Sequence, residues 1–590
     1  VNPTDEYAER LRLRERSLAA AERLQQRLSN VRLALAVAFL ALAWCCAGLR
    51  MPSPLWLLVP GALFVGAVIY HQRIRLVHGN ALRAVAFYRA GLDRLRGQAA
   101  ASAQAGGEFN DPHHVYAADL DLFGEGSLYA LLCTARTPMG EAALARWLLQ
   151  PADVSTIHAR QAGIAELRTR LDFREELAIL GGRRHITLEP GALATWLDGP
   201  DELAASWLAP AATSLGVLAG IAALILAFWG LAFPLLAVLA AEALLHRAFA
   251  KPVQRCVGAI EHAYEDLKLL AALLRRVESE TFDAPVLSDL RQRLASRSAS
   301  ASATLAGLAT LVNFIEARRN PFLAPLQLPL LYPIQSALAA ERWRRRHGRA
   351  VGAWLAALGE LEALQSIAGY SFERPDHTIP EFVEGPARFT AVGLGHPLLP
   401  AASRVCNDVE IAGSTRVLLV SGSNMSGKST LLRAVGINAV LAMAGAPVCA
   451  ARLELTPLQV GASIRVNDSL REGSSRFYAE ITRLRQLFEP SALPLLFLLD
   501  ELLQGTNSTD RRIGAQGVVR ALIQRGAIGL ISTHDLSLTE GDEFPAGALC
   551  NVHFQDELRE GRLTFDFTLR AGLLTKSNGI ELMRAIGLDV

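Results

Sequence analysis

Gly422, Gly427, Lys428 and Ser429 stand in the pattern G-x-x-x-x-G-K-S directly after the apolar run 417–421. Glycines at that spacing let the backbone curl so that its N–H groups cradle phosphate oxygens. Lys428 is then placed to reach the β- and γ-phosphates of a nucleotide, and the Ser429 hydroxyl to ligate Mg²⁺. Ser423, Asn424, Met425, Ser426 and Thr430 complete the loop. The segment after it reads as a helix whose positive N-terminus faces the anion. A glycine-rich turn ahead of a core helix is the plain alternative. Strand, loop and helix in this order favour a nucleotide-binding site.

Downstream, 495–501 reads LLFLLDE, a buried strand ending in two adjacent acids. Asp500 can hold a Mg²⁺ shell and Glu501 can polarise an attacking water. The apolar run 526–532 then leads into Thr533, His534 and Asp535. A histidine at the end of a second central strand can sense the γ-phosphate, although a lone histidine is more often structural. Lys428, Glu501 and His534 are the candidate catalytic residues, with ATP and Mg²⁺ as the implied substrate and ion.

With SNMSGKST (423–430), EGSSRFYAEI (472–481), LLDELLQGTNSTD (498–510) and ISTHD (531–535), the chain resembles the ATPase of MutS-type mismatch-repair proteins. In that family the loop reads close to G-P-N-M-G-G-K-S-T. Ser423 and Ser426 replace the proline and one glycine, while Asn424 and Met425 match. The LSGGQ signature of membrane transport ATPases is missing between loop and acidic strand. The resemblance implies a homodimer with composite ATP sites: Ser475 reaches the nucleotide of the opposite subunit, and 505–509 lies at the same seam. It also asks for an aromatic near Val405 and Cys406 to stack on the base. This chain has none there. Phe567 falls where relatives carry a base-stacking histidine and is taken to compensate, against the plain reading of a strand phenylalanine as core. Upstream, 123–151 and 160–168 resemble the opening of the family's helical core, and GLGHPLLP (393–400) its entry to the ATPase, with a structural role for His396. The likeness covers 115–206 and 250–590.

The elements that position these residues follow from hydropathy. Residues 33–49 and 55–70 are charge-free, as is the long run 207–241, which 229–234 divides. A bilayer crossing takes about 17–25 apolar residues, so two helical hairpins with four spans result. Arg23, Arg27 and Arg32 precede the first hairpin and Arg73, Arg75 and Arg83 follow it; Arg247, Lys251 and Arg255 follow the second. The positive-inside rule puts the termini and the ATPase in the cytoplasm, as for a multi-pass protein of a bacterial-type inner membrane. Segment 322–340 carries Pro325, Pro329 and Pro333 and reads as buried or membrane-surface structure, since three prolines break a spanning helix. The expected fold is multidomain: 1–110 with the first hairpin (33–49, 55–70), 111–206 as the first part of a helical core, 207–246 as the second hairpin, 247–370 as core and lever, and 371–590 as an α/β P-loop NTPase of ABC type.

Composition agrees. The chain has 590 residues, 51% of them hydrophobic, with a net charge of only +2. No global basic field announces nucleic acid. Local clusters at Arg10, Arg12, Arg14 and Arg16, at 342–346, and at Arg511 and Arg512 read as solvated faces or membrane-edge anchors. The seven cysteines form no C-x-x-C pair. Nothing before Asp119 resembles the family's Phe-x-Glu mismatch wedge, and Phe173-Arg174-Glu175 lies inside a helical run. The reading is a membrane-anchored, dimeric ATPase acting on DNA as a clamp or switch. A transport, remodelling or scaffold ATPase that does not act on DNA is the alternative. Only Thr213 and Ser214 lend polarity to the spans, which disfavours transport.

Overall fold

The computed structural model describes residues 2–48, 53–97, 105–183, 186, 190–295, 300–317, 329–464, 476–503, 506–533, 544–559 and 562–573. Helices dominate the first two thirds of the chain, and an α/β domain with two mixed sheets closes it.

Helices α1 (Pro3–Gly48) and α2 (Leu58–Leu95) form an antiparallel hairpin far longer than its apolar segments. Contacts step along it in opposite directions: Tyr7 with Tyr88 at 5.7 Å, Glu22 with His78 at 3.7 Å, and the Arg32 guanidinium over Phe64 at 5.8 Å. The apolar part is therefore one end of a stalk, and the charged part is the other. A second hairpin pairs α8 (Leu208–Trp229) with α9 (Phe233–Gly258). Gly230, at φ 68°, ends α8 in the left-handed conformation a side chain resists, and Pro234 opens α9 where its missing N–H costs nothing. All four helices are long and apolar enough to cross a membrane, and in α1 and α2 none of the most apolar stretch is buried. The most apolar stretches of the four helices are thus largely unenclosed by the described residues.

The charged base of the first hairpin docks on the helical core through two buried carboxylates. Glu175, on α6 (Leu171–Gly181), accepts from Tyr88 Oη at 2.7 Å and Arg14 Nη2 at 2.8 Å. Glu373 ends α13 (Tyr332–Glu373) and accepts from Arg94 at 2.6 and 2.9 Å and from Tyr7 Oη at 3.2 Å. The Arg10–Arg16 cluster is therefore not wholly solvated, since Arg10 also pairs with Asp172. Arg344 likewise departs from a solvated face: it is buried against Glu341 and donates to Trp196 O at 2.9 Å. Phe173, Arg174 and Glu175 are all buried in α6, in keeping with a core role.

Helix α13, about 63 Å long at 1.5 Å per residue, is the spine of the core. Its Glu362 accepts from Arg136 N at 3.1 Å and from Thr137 Oγ1, and Thr137 in turn caps α4 (Pro138–Leu149). Helices α11 (Pro285–Leu294) and α12 (Ala301–Ala317) follow one another in the core. Within 322–340, the part up to 328 lies outside the described residues, and from Tyr332 the chain is already in α13, with Pro333 in its first turn.

In the α/β domain the six-stranded sheet runs β10 (Arg562–Ala571), β9 (Leu549–Arg559), β4 (Val417–Ser421), β8 (Ile528–Ser532), β7 (Leu495–Asp500) and β6 (Gln459–Ser463). Strands β4, β7 and β8 are parallel and almost wholly buried, with β9 parallel to β4. Only β10 is antiparallel. A second sheet of four strands packs beside it. Asp119 ties helical and α/β parts together, accepting from Arg483 Nη2 at 2.5 Å and Ile464 N at 2.9 Å.

Candidate functional site

Parallel strands deliver their carboxyl ends to one edge of the sheet, where ligands of open α/β sheets bind. Asp500 and Ser532 are direct partners in the β7–β8 ladder, and Thr533 N donates to Val420 O at 3.1 Å. With β8 between them, the glycine loop leaves β4 and the acids leave β7 at the same edge of the sheet.

Gly422 stands at φ 150° and Gly427 at 105°. A Cβ on Gly422 would lie 2.7 Å from Ser426 Oγ and 3.1 Å from Phe554 O, so no side chain fits the first position of the loop. Met425 also takes a left-handed φ of 67° and is 88% exposed. Lys428 opens α14 (Lys428–Ala444) and folds back, donating to Gly422 O at 2.8 Å and Ser423 O at 2.9 Å. Burial pulls its ammonium below the ordinary value, while Glu501 and Asp500 pull the other way. Among the described residues, the Ser423 and Ser426 hydroxyl oxygens are buried and lack a hydrogen-bond partner. Buried hydroxyls are seldom left unpaired, so the loop has donors to spare for a phosphate.

Ser429 Oγ donates to Asp500 Oδ2 at 2.5 Å, and Ser532 Oγ donates to Asp500 Oδ1. One hydroxyl and one carboxylate at contact distance beside a phosphate cradle are a hard-oxygen donor set, the chemistry Mg²⁺ requires. Glu501 follows at φ 51°, its N–H donating to Ser532 O at 3.2 Å, and Leu503 at φ 57° donates to Glu480 Oε1 at 2.5 Å. Two non-glycine residues in left-handed conformations cost about 1–3 kcal/mol each, strain that gathers where a turn must present a functional group.

Phe567 reaches this loop from β10. A bulge between Phe565 and Leu569 holds it at φ 55°, and its Cδ1 lies 3.2 Å from the Cβ position of Gly427. Asn407 fixes the bulge, donating to Phe567 O at 3.0 Å and accepting from Leu569 N at 2.7 Å. The ring is 42% exposed, so it is not plain core. His396 by contrast is buried, accepts from Leu398 N at 3.3 Å, and is pushed down to about 4 by desolvation.

The fold thus brings together the whole 422–430 loop, Asp500, Glu501 and Phe567. Ser475 and His534 lie outside the described residues. Sequence reasoning missed Ser532, Glu480 and Asn407. Ser532 and Glu480 sat inside the quoted motifs, but their partners are fixed only by strand register and packing.

Comparison with known proteins gives the same region. The sequence model of the family described as MutS domain V matches residues 418–589. The chain is 35% identical over 232 residues to the DNA mismatch repair protein MutS of Brevibacillus brevis, an overlap of 38% of this chain and 27% of that one. It is 32% identical over 250 residues to DNA mismatch repair protein MutS 2 of Halobacterium salinarum (42% and 29%). With Endonuclease MutS2 of Thermus thermophilus it shares 32% over 237 residues (40% and 30%). The chain spans less than a third of the length of each of these relatives.

Proposed function

We propose that this chain, MutS-related through its C-terminal domain, is a membrane-anchored ATPase of the P-loop, ABC-type class that works as a homodimeric switch on DNA. The observation that carries the reading is the Ser429–Asp500 pair at 2.5 Å, set beside a loop whose glycines exclude side chains and whose buried hydroxyls lack partners. ATP is the substrate. Loop N–H groups and Lys428 hold its phosphate oxygens, and Ser429 and Asp500 would hold Mg²⁺. When bound, that ion supplies charge neutralisation at the β- and γ-oxygens. Glu501 orients the attacking water, His534 contacts the γ-phosphate, and Phe567 offers a face to the base. Ser475 completes the site of the opposite subunit. Exposed apolar residues on the same domain support that pairing: Met425, Tyr478 and Ile513 are each more than half exposed.

Hydrolysis shifts the dimer between states that differ in their contacts with ATP and ADP. The readout is carried toward the membrane by α13, whose last residue, Glu373, holds the base of the first hairpin. DNA enters as substrate from the relatives named for mismatch repair. The test is ATP hydrolysis by detergent-purified full-length protein with duplex, mismatched and branched DNA across a salt series. Stimulation that fades steeply with salt is expected. Turnover indifferent to every DNA would move the function to membrane remodelling or scaffolding.

A further inference from the structure

A cavity of about 910 Å³ opens between the first hairpin and the helical core, far along the chain from the nucleotide site. One wall is α2, through Gln72, Arg75, Leu76, Gly79 and Arg83, a spacing that keeps them on one helical face. The other walls are α10 (Tyr264–Glu278), α12 and Arg183. Five cations line it, Arg75, Arg83, Arg183, Lys268 and Arg275, against one carboxylate, Glu265, which lies 3.7 Å from Lys268. Arg83 and Arg183 share a single neutral acceptor, Asn80 Oδ1, at 2.8 and 3.4 Å. Among the described residues, Arg83 Nε is buried without a hydrogen-bond partner. Among the described residues, Arg75 and Arg275 have no ion pair. Guanidiniums gathered this way repel one another unless an anion joins them.

The position decides which anion. The charge-free stretch of α2 ends at Tyr70, and the cavity begins at Gln72, less than one turn further on. It extends to Arg83, about 16 Å along the helix, enough to cross a headgroup layer of about 5–8 Å and reach the water beside it. Leu76, Leu269, Ala272 and Ala309 give the same cavity an apolar floor. Cations over an apolar floor at a membrane edge match an amphiphile with a phosphate, where a soluble phosphate would leave the floor unused.

We propose that this cavity binds the headgroup of an anionic phospholipid and so seats the hairpin against the core at the membrane surface. The proposal rests on the membrane-spanning reading of the hairpins. Each arginine removed should weaken binding about fivefold.

The experiment is a thermal melt of the full-length protein in a neutral detergent, titrated with phosphatidylglycerol, phosphatidylcholine, inorganic pyrophosphate or a short DNA duplex. Arg75→Gln with Arg275→Gln is the variant, since both side chains are exposed and the fold does not depend on them. Phosphatidylglycerol should raise the melting temperature saturably, phosphatidylcholine should not, and the double variant should need about twenty-five-fold more lipid. Equal responses to the two lipids, or an unchanged curve in the variant, overturn the site. So does a pyrophosphate or DNA response that is lost in the double variant, which would make the cavity a soluble-phosphate or nucleic-acid contact. Alkaline extraction of native membranes, run beside it, separates the two failures. Protein that stays with the membrane yet ignores phosphatidylglycerol loses the site and keeps its spans.

Discussion

Phe567 stands at the glycine loop because its backbone is bent out of the ladder, and Asn407 holds the bend from 160 residues away. Phe567→Ala should weaken ATP binding by about three- to tenfold, the loss of one aromatic face, with turnover at saturation little changed. Asn407→Ala should reproduce part of that loss, because it frees the bulge without touching the ring. Fluorescent-nucleotide titration measures both, and an unchanged affinity in Phe567→Ala would return the ring to a structural role. The contrast shows what a sequence displays. Asp500 and Lys428 were legible because their chemistry needs neighbours at fixed short spacing. Ser532, which donates to Asp500, was not, because a serine near a strand end acquires meaning only from the strand beside it.

Among the elements, the apolar hairpins and the buried parallel strands were plain from charge-free runs. The boundary between α11 and α12 was not: the serine- and alanine-rich stretch joining them has no glycine or proline, and Ser300 caps the new helix by accepting from Ala303 N at 3.2 Å. Local hydroxyl capping of this kind competes with helix continuation and leaves the periodicity undisturbed. Helix α13 carries a pH-sensitive group. Burial pushes the Glu362 carboxyl from 4.5 up to about 7, so folded protein binds that proton more tightly than unfolded protein. Its contribution to stability is fully present below 4.5 and is lost as pH rises through about 7. Glu362→Gln should remove that slope, seen as a flatter melting temperature between those pH values than wild type shows. Identical slopes would mean that Glu362 titrates normally. At the hairpin base, Glu175→Ala should cost about 1–3 kcal/mol in chemical denaturation, since it strands the buried Tyr88 hydroxyl.

At the scale of the molecule, apolar hairpins precede the long helix Tyr332–Glu373, and a domain similar to MutS domain V follows it in the chain. On the proposed membrane anchoring, alkaline extraction should leave the chain in the membrane pellet, with release only by detergent. Recovery in the soluble fraction would remove the membrane from the function. The catalytic claim is tested most directly by Mg²⁺-dependent ATP hydrolysis of the purified full-length protein beside its Glu501→Gln variant, with nucleotide binding measured on both. Wild-type turnover should fall by about a hundredfold or more in Glu501→Gln while ATP still binds, the signature of a lost water-orienting carboxylate. Equal turnover by the two proteins, or no turnover by either, would contradict the assignment of this site as an ATPase.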